Sequence, residues 1–419
     1  MRPSLTTFLI SGHVCADLTN IGPRGVSRHM QLKTTCSAIL ACLLAAPKIY
    51  AFGLPASSLR INAGPVGALQ VQGILSGYGF LQDNPSPESL GLLGSRRGGV
   101  AISNAFLIIQ KKQGPIQFYL QTGTYGFPQI GAPFSSAQYD TIDFGPLLWA
   151  YMTIAPSKSF SFEIGKLPVL YGYNGTLTYA RNTIEGGFLW AIEPSVNRGV
   201  QANFSHGPIN VSLSLNDGYY SGQYNWLDGL FTYTFDAANN VNVYAGGNFS
   251  HTGTLAQYQA GSYSNNPYVN ATLGLDNSDI YGIYFEHTAG RLSLVPEIQM
   301  VYTPASRAFG TTRPSRNLGV AFHLDYSYTK TWSLGADIDY ASTNGAPGDG
   351  RIGGGFLGYG NGARAWAVAL TPTYQRKHYF IREELSFAYV PQHAPGKAFG
   401  NNGSSSTQIR VMAETGYTF

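Results

Sequence analysis

Charge is scarce in this sequence, and long apolar runs are missing from most of it. Asp, Glu, Lys and Arg together make up 11% of the 419 residues, against about 25% in a typical soluble domain. No run of about 18 apolar residues follows residue 51, which excludes transmembrane helices from that part of the chain. Membrane-spanning strands need only about ten alternating residues each and leave no such run. The composition therefore leaves two classes, a large soluble all-β protein or a membrane β-barrel.

Cysteine is confined to the first 51 residues, which have the order of a secretory signal. The residues MQLK, which begin at Met30, precede an apolar stretch, Thr34–Ala46, and small residues lead up to Ala51, after which we expect cleavage. We expect translation to start at Met30, because the residues before it lack this pattern. Lipidation at Cys42 is a weaker alternative, because the apolar stretch continues past it. The three cysteines are Cys15, Cys36 and Cys42.

The basic character of the sequence belongs to this leader. Removing residues 1–51 takes five basic residues and one acidic residue from totals of 26 and 22, and leaves 21 of each. The mature chain, residues 52–419, is therefore electrically balanced, which gives nucleic-acid binding no electrostatic support. Without cysteine it has no disulfide framework and no thiolate metal site.

The last stretch, Thr407–Phe419, alternates between two faces as an extended strand does. Apolar and aromatic residues occupy one face, whereas Arg410 and Glu414 occupy the other. A strand at the end of a sheet leaves unpaired backbone groups unless another strand lies beside it, so this stretch suits the closing seam of a barrel. Tyr417 and the terminal Phe419 resemble the signal that outer-membrane barrels present to their assembly machinery.

About sixteen segments share this alternation, among them Leu318–Tyr328 and Trp332–Ala341. Their connections alternate between short and long along the chain, as periplasmic turns and outer loops do in membrane barrels. A soluble Greek-key sandwich has no reason to repeat this rhythm. We therefore predict an all-β fold, a transmembrane antiparallel up-and-down β-barrel of about 16 strands formed by residues 52–419. Its long loops, such as Asp349–Asn361, are rich in Gly and Asn and are expected to be solvated.

Charged side chains within the candidate strands fall on the polar face, which predicts that they line the lumen. Glu383 breaks the rule, because it shares a face with Ile381 and Leu385. We expect a bulge, a position near the membrane interface, or an error in that strand. Acidic residues outnumber basic ones on the wall, which favours a mild cation preference. The predicted wall residues are Glu163, Glu297, His323, Asp325, Asp337, Asp339, Arg382, Glu384, Arg410 and Glu414, with Glu286 on the same face.

The third long loop, Lys166–Arg198, is the longest and is the candidate for a segment that folds inward to narrow the pore. It carries charges of both signs that could set up a transverse field across the opening. The alternative is that these are ordinary surface charges of an outer loop. The predicted constriction residues are Arg181, Glu185, Glu193 and Arg198.

A family resemblance appears at the same loop. The segment Gly165–Pro168 with Gly172, followed by Asn182, Pro194 and Gly199, resembles the hallmark region of the β-barrel porin-2 family. In that family a strand leads through a glycine-rich turn into a loop with Asn and Pro, and a glycine opens the next strand. This chain differs in having Tyr173-Asn174 where an acidic residue is expected. The resemblance implies an outer-membrane porin.

Two other function classes compete with a porin. A barrel enzyme would need a nucleophile, a base and an orienting group within reach, and no histidine after residue 51 lies in a recognisable hydrolase motif. No zinc spacing or phosphate-binding glycine loop is present, so we expect no metal or cofactor. A non-conducting barrel that acts as an adhesin or structural anchor stays open. The expected partners are outer-membrane lipid, the barrel-assembly machinery and small hydrophilic solutes, with a homotrimer as an assembly by analogy.

Overall fold

The computed structural model describes residues 59–87, 95–133, 135–253, 269–309, 311–347, 349, 351 and 357–419. The predicted leader, residues 1–51, lies outside this part. The seventeen strands are β1 Leu59–Asn62, β2 Ala68–Gln82, β3 Gly98–Lys111, β4 Ile116–Tyr125, β5 Leu147–Ile154, β6 Phe160–Leu167, β7 Asn197–His206, β8 Ile209–Asn216, β9 Trp226–Thr234, β10 Asn239–Asn248, β11 Asp279–Ala289, β12 Leu292–Thr303, β13 Ser315–Ser327, β14 Trp332–Thr343, β15 Arg364–Arg376, β16 Tyr379–Gln392 and β17 Thr407–Thr418. Two helices, α1 Ala137–Phe144 and α2 Val269–Asp276, lie in long loops.

Strands β2 to β17 form a closed antiparallel barrel of sixteen strands. Each pairs with the next in the chain, and β17 returns to pair with β2. At the seam, Phe419 and Gly73 exchange two backbone hydrogen bonds of 2.9 and 3.0 Å. The Phe419 ring lies over Gly73, where a Cβ atom would overlap it unless the ring moved. The short strand β1 pairs with the start of β2 through Leu59 and Val71. The predicted fold class and strand number are therefore confirmed.

The two faces of the strands differ as the alternation predicted. On the outside, Val411 is 50% exposed and Phe322 is 38% exposed, whereas Arg410 and Glu414 on the inside are 1% and 0% exposed. A soluble sandwich would bury Phe322 in a dry core, so that alternative is wrong. Branched and aromatic residues, which suit a pleated surface, cover the outside.

Glu383 is a genuine exception on the outer face. It is exposed and lies opposite Ala413 of β17. The irregularity between β15 and β16 is at Arg364 and Trp366, far from this position. Glu383 lies in the regularly paired part of β16, between the outward-facing Tyr379 and Tyr389, so neither a bulge nor a misplaced strand accounts for it. A charge facing lipid at mid-depth costs up to about 2–4 kcal/mol for a basic group and less for an acid.

Seven short and eight long connections alternate around the barrel, as predicted. None of the helices in the described ranges is long and apolar enough to cross a membrane. The prediction that Asp349–Asn361 is solvated is wrong for Tyr359. This side chain is 4% exposed, and its hydroxyl donates a hydrogen bond to the Gly131 carbonyl oxygen of another loop.

Candidate functional site

The connection between β6 and β7, residues 168–196, lies inside the barrel, and we call it the inner loop. Every residue from Ala180 to Trp190 is buried. Its sequence explains this position, because the apolar run Phe188–Ile192 would be costly to expose in an outer loop. Glycine lets its backbone approach the wall closely. A Cβ at Gly187, for example, would lie 2.6 Å from a carboxylate oxygen of Asp339.

Glu185 near the tip of the inner loop is held by β16 and β17. Its carboxylate accepts hydrogen bonds from Arg410 and from the Ser386 hydroxyl. Its backbone N–H donates to Glu384 at 3.0 Å, and the Ile184 N–H donates to the same carboxylate. All of these side chains are nearly inaccessible to solvent. Charge-assisted hydrogen bonds of this kind are stronger than neutral ones, so they fix the position of the tip.

A second group holds the segment that enters the tip. The Arg382 guanidinium donates to Glu414 at 2.8 Å and to the Thr178 carbonyl oxygen at 2.6 Å. The Thr178 hydroxyl donates to the other Glu414 oxygen at 2.8 Å. Asn104 of β3 donates to the same hydroxyl at 2.6 Å. The inner loop is therefore attached on both sides of the β17–β2 seam.

A third group connects the inner loop to β12–β14. His323 lies between two carboxylates, 3.0 Å from Asp337 and 3.3 Å from Glu297. Asn182 and Thr183 of the loop donate to Asp337 at 3.1 and 3.2 Å. The inner loop thus makes polar contacts along the wall formed by β12–β17, which we call the charged wall.

Aromatic side chains hold the inner loop elsewhere. The Trp226 indole of β9 donates to the Tyr171 hydroxyl at 2.7 Å, and Trp190 packs edge-on against Phe127 with ring centroids 5.9 Å apart. Arg181 lies over the Trp190 ring at 4.9 Å. Burial, together with the nearby Arg382 charge, lowers the pKa of Arg181 to about 10. The residue stays charged near neutral pH, even though its surroundings are largely closed to solvent.

The structure places the four predicted constriction residues in two different environments. Arg181, Glu185 and Glu193 are buried in the inner loop, where Glu185 is paired with the wall instead of facing a water-filled gap. Arg198 lies outside this loop. It belongs to β7, on the same outward parity as Val200, and forms an ion pair with Asp217 at 2.7 Å. These contacts do not have the arrangement expected for a transverse electric field across an opening, in which charges of opposite sign would face each other across water.

A different part of the inner surface is left uncovered. Many inward-facing side chains of β4–β11 are half-buried near the short connections, and ten polar ones lie within four residues of such a connection and mark this surface. Eight of them are uncharged, and their hydrogen bonds run among neighbouring strands, as from Ser212 to Asn203 at 2.7 Å. We call this set the polar strip. Its members are Gln117, Thr153, Ser161, Glu163, Asn203, Asn210, Ser212, Thr232, Asn240 and Glu286.

All ten predicted wall residues face inward, but nine of them are buried and only Glu163 belongs to the polar strip. Tyr417 and Phe419 face outward beside the seam, and their role as an assembly signal stays a prediction. Sequence reasoning missed the neutral members of the strip and the aromatic anchors Tyr171 and Trp190. The run Phe188–Ile192 was the available signal, because an outer loop rarely carries so many adjacent apolar residues. No group of His, Cys, Asp or Glu side chains in the described ranges is arranged to hold a metal ion.

Solved structures with a similar fold are bacterial outer-membrane proteins. The outer membrane channel DcaP of Acinetobacter baumannii has a TM-score of 0.54 and 10% identity, over 84% of this chain and 97% of the other. OmpT of Vibrio cholerae, folded in vitro, has a TM-score of 0.53 and 8% identity, over 86% of this chain and 99% of the other. At these identities the likeness concerns the fold alone. Among curated proteins, none matches the sequence significantly.

The sequence profile of the family described as "Putative beta-barrel porin-2, OmpL-like" matches residues 68–419, which are the whole barrel from β2 onward. This agrees with the resemblance found at the third loop and with the closed sixteen-stranded barrel. Family and fold are those of porins, and they place the protein in the bacterial outer membrane. The chain therefore belongs to the β-barrel porin-2, OmpL-like family.

Proposed function

We propose that this protein is a diffusion channel for small hydrophilic solutes and ions, and that the inner loop sets the width of its path. The observation that carries the proposal is the position of residues 168–196, inside the barrel and bonded to its wall at Glu384, Arg410 and Asp337. In porins an inward loop narrows a lumen that sixteen strands would otherwise leave wide. A catalytic role is not part of this proposal.

The proposal extends to how the protein is made and what it contacts. Residues 1–51 act as an N-terminal extension and signal peptide for export in a Gram-negative cell. The outward-facing Tyr417 and Phe419 bind the barrel-assembly machinery, and outer-membrane lipid surrounds the apolar outer face. A homotrimer stays a prediction by analogy with porins of this size.

A second candidate function is a closed barrel that serves as an anchor or adhesin. One observation favours it, since every residue from Ala180 to Trp190 is buried. The inner loop touches the barrel through four separate buried clusters, with Phe188, Ile192, Trp190 and Ile184 each in a different one. A loop packed on so many sides leaves less room for water than a loop attached to one wall.

Planar-bilayer recording of the purified protein separates the two functions. The full chain is expected to give stepwise conductance, and a variant with 176–190 replaced by a short Gly/Ser linker is expected to give steps several-fold larger. The matched control shortens the loop between β12 and β13, whose residues Pro304 and Ala305 are exposed. A silent full chain with a conducting variant identifies the inner loop as a closed plug. Two silent proteins contradict the channel and favour the anchor.

A further inference from the structure

The two ends of the barrel differ sharply in charge. At the end with the short connections, eight basic residues lie in the turns, in β1 or at the strand ends beside them, and we call this set the basic collar. The only acidic residue in the described turns of this end is Asp236. The described long loops, in contrast, carry basic and acidic residues in similar numbers. The collar consists of Arg60, Lys111, Lys112, Lys158, Arg291, Lys330, Arg376 and Lys377.

The collar side chains are accessible. Seven of the eight residues are exposed and Lys111 is half-buried. Two of them donate to backbone carbonyl oxygens of their own hairpins, Lys111 to Ile116 and Arg291 to Tyr328, each at 2.8 Å. Within the described ranges none of the eight forms an ion pair with an acidic side chain. The acidic side chains in the described part of the chain therefore leave this positive charge unpaired.

Several collar residues lie two positions from an outward-facing aromatic residue, on the side of the short connections. Lys330 precedes the outward Trp332 by two positions, Lys377 precedes Tyr379 by two, and Arg376 follows Tyr374 by two. Two residues of a strand span about 7 Å. Aromatic residues at the ends of barrel strands lie at the level of the lipid headgroups, so the cations reach the depth of the phosphate groups.

We propose that the basic collar binds the phosphate groups of anionic phospholipids in the periplasmic leaflet of the outer membrane. Short connections of such barrels face the periplasm. The cations come from five of the seven short connections and from β1, so they are spread over most of the rim. This spacing suits a ring of separate headgroups better than one compact ligand. Clusters of Lys and Arg near a membrane surface attract anionic lipid in this way.

The experiment compares lipid selectivity in a charge-neutralised variant and a matched control. The collar variant is K112Q/K158Q/K330Q/R376Q/K377Q, and the control is R96Q/R97Q/R307Q/R313Q/K397Q, which removes five cations from the long loops. Each protein is reconstituted in vesicles of phosphatidylethanolamine and phosphatidylglycerol. Spin-labelled phosphatidylglycerol and phosphatidylcholine report the relative occupancy of lipid next to the protein. A heat-dependent shift in gel migration checks that each barrel is folded.

The unchanged protein and the control are expected to prefer phosphatidylglycerol several-fold, since each cation near a membrane surface is worth up to about fivefold at low salt. The collar variant is expected to lose most of this preference, and raising the salt concentration to about 1 M is expected to weaken it in the other two proteins. Equal preference in all three proteins, or an equal loss in the control, overturns the proposal. An unchanged lipid preference with lost binding to peptidoglycan would assign the collar to the cell wall instead.

Discussion

The charged wall and the polar strip lie on the same inner surface but do different things. On β12–β17 the buried side chains of Arg382, Arg410 and Glu384 form hydrogen bonds with the inner loop and do not face open space. On β4–β11 the half-buried Asn203 and Ser212 form a hydrogen bond with each other, and the rest of each side chain faces the lumen. Charge on the inside of a barrel is therefore not by itself a marker of the path that a solute takes.

This difference also changes the expected ion preference. Nine of the ten wall residues predicted from sequence are buried, and several of their charges are neutralised in pairs such as Arg382 with Glu414. The charges that remain beside the uncovered surface are Glu163 and Glu286. We therefore predict that these two carboxylates, and not the charged wall, determine any cation preference.

The largest effect is expected on the charged wall. Replacing Arg410 by Met removes the cation that holds Glu185 and leaves that carboxylate buried without its partner. Breaking a buried ion pair by removing one partner costs about 3–5 kcal/mol of unfolding free energy. Urea titration of the folded barrel in lipid vesicles measures this loss.

The matched control for this variant lies on the polar strip. Ser212→Ala removes one half-buried hydroxyl and is expected to cost no more than about 1 kcal/mol. The double variant R410M/E185M removes both charges and should recover part of the loss. If the Arg410 and Ser212 variants lose equal stability, the distinction between the two walls is wrong.

Chemical accessibility tests the same distinction without any need for conductance. Since no cysteine occurs after residue 51, a single cysteine introduced into a protein of residues 52–419 is its only thiol. Cysteine at Asn203 is expected to react with a water-soluble methanethiosulfonate at least about tenfold faster than cysteine at Ala369, which is 2% exposed. Mass spectrometry of the intact protein gives both rates. Similar rates at the two positions would mean that water reaches both walls.

A smaller effect is expected in ion selectivity. The variant E163Q/E286Q removes the two charges of the polar strip but keeps the size of the side chains, and should lower the cation-to-anion permeability ratio about twofold. Reversal potentials under a potassium chloride gradient measure the ratio. Asp339→Asn, at a buried position on the charged wall, is the control and should leave it unchanged. A larger change of the permeability ratio in the control than in E163Q/E286Q would show that the charged wall determines the selectivity.

The most local effect concerns a buried carboxylate that has no cation beside it, in contrast to Glu185. Asp140 of α1 accepts a hydrogen bond from the Phe127 N–H at 3.0 Å, and burial raises its pKa to about 7. The folded loop then holds a proton that the unfolded loop has lost above about pH 4. The local stability of α1 should therefore fall between about pH 4 and 7, by at most about 1.4 kcal/mol per pH unit.

Hydrogen exchange of the α1 amides, corrected for the intrinsic pH dependence, measures this local stability. Asp140→Asn has no proton to lose and should show the same protection at pH 4 and pH 7. Protection that increases with pH in the unchanged protein would contradict the raised pKa.

The strands could be predicted from sequence because apolar residues recur at every second position on the side of each strand that faces lipid. The predicted strand Trp332–Ala341, for example, begins at the same residue as β14 and ends two residues before it. The inward position of the inner loop was predictable from its length and from its place as the third long loop, but its contacts with the wall were not. Arg198 shows the reason. The predicted loop ended at this residue, whereas β7 begins at Asn197, and this difference of two residues places the Arg198 side chain on the outer face of a strand. The exception at Glu383 also needed the structure, because alternation alone could not distinguish a real outward charge from a misplaced strand.

The pairing of β17 with β2 has a consequence for the timing of assembly. The two strands that close the barrel are separated by more than 300 residues of chain, and contacts of such long range form slowly. Until β17 arrives, β2 and β16 each keep an open edge able to pair with another chain. The barrel is therefore most open to pairing with another copy before β17 is added, and the pairing of β17 with β2 removes both open edges.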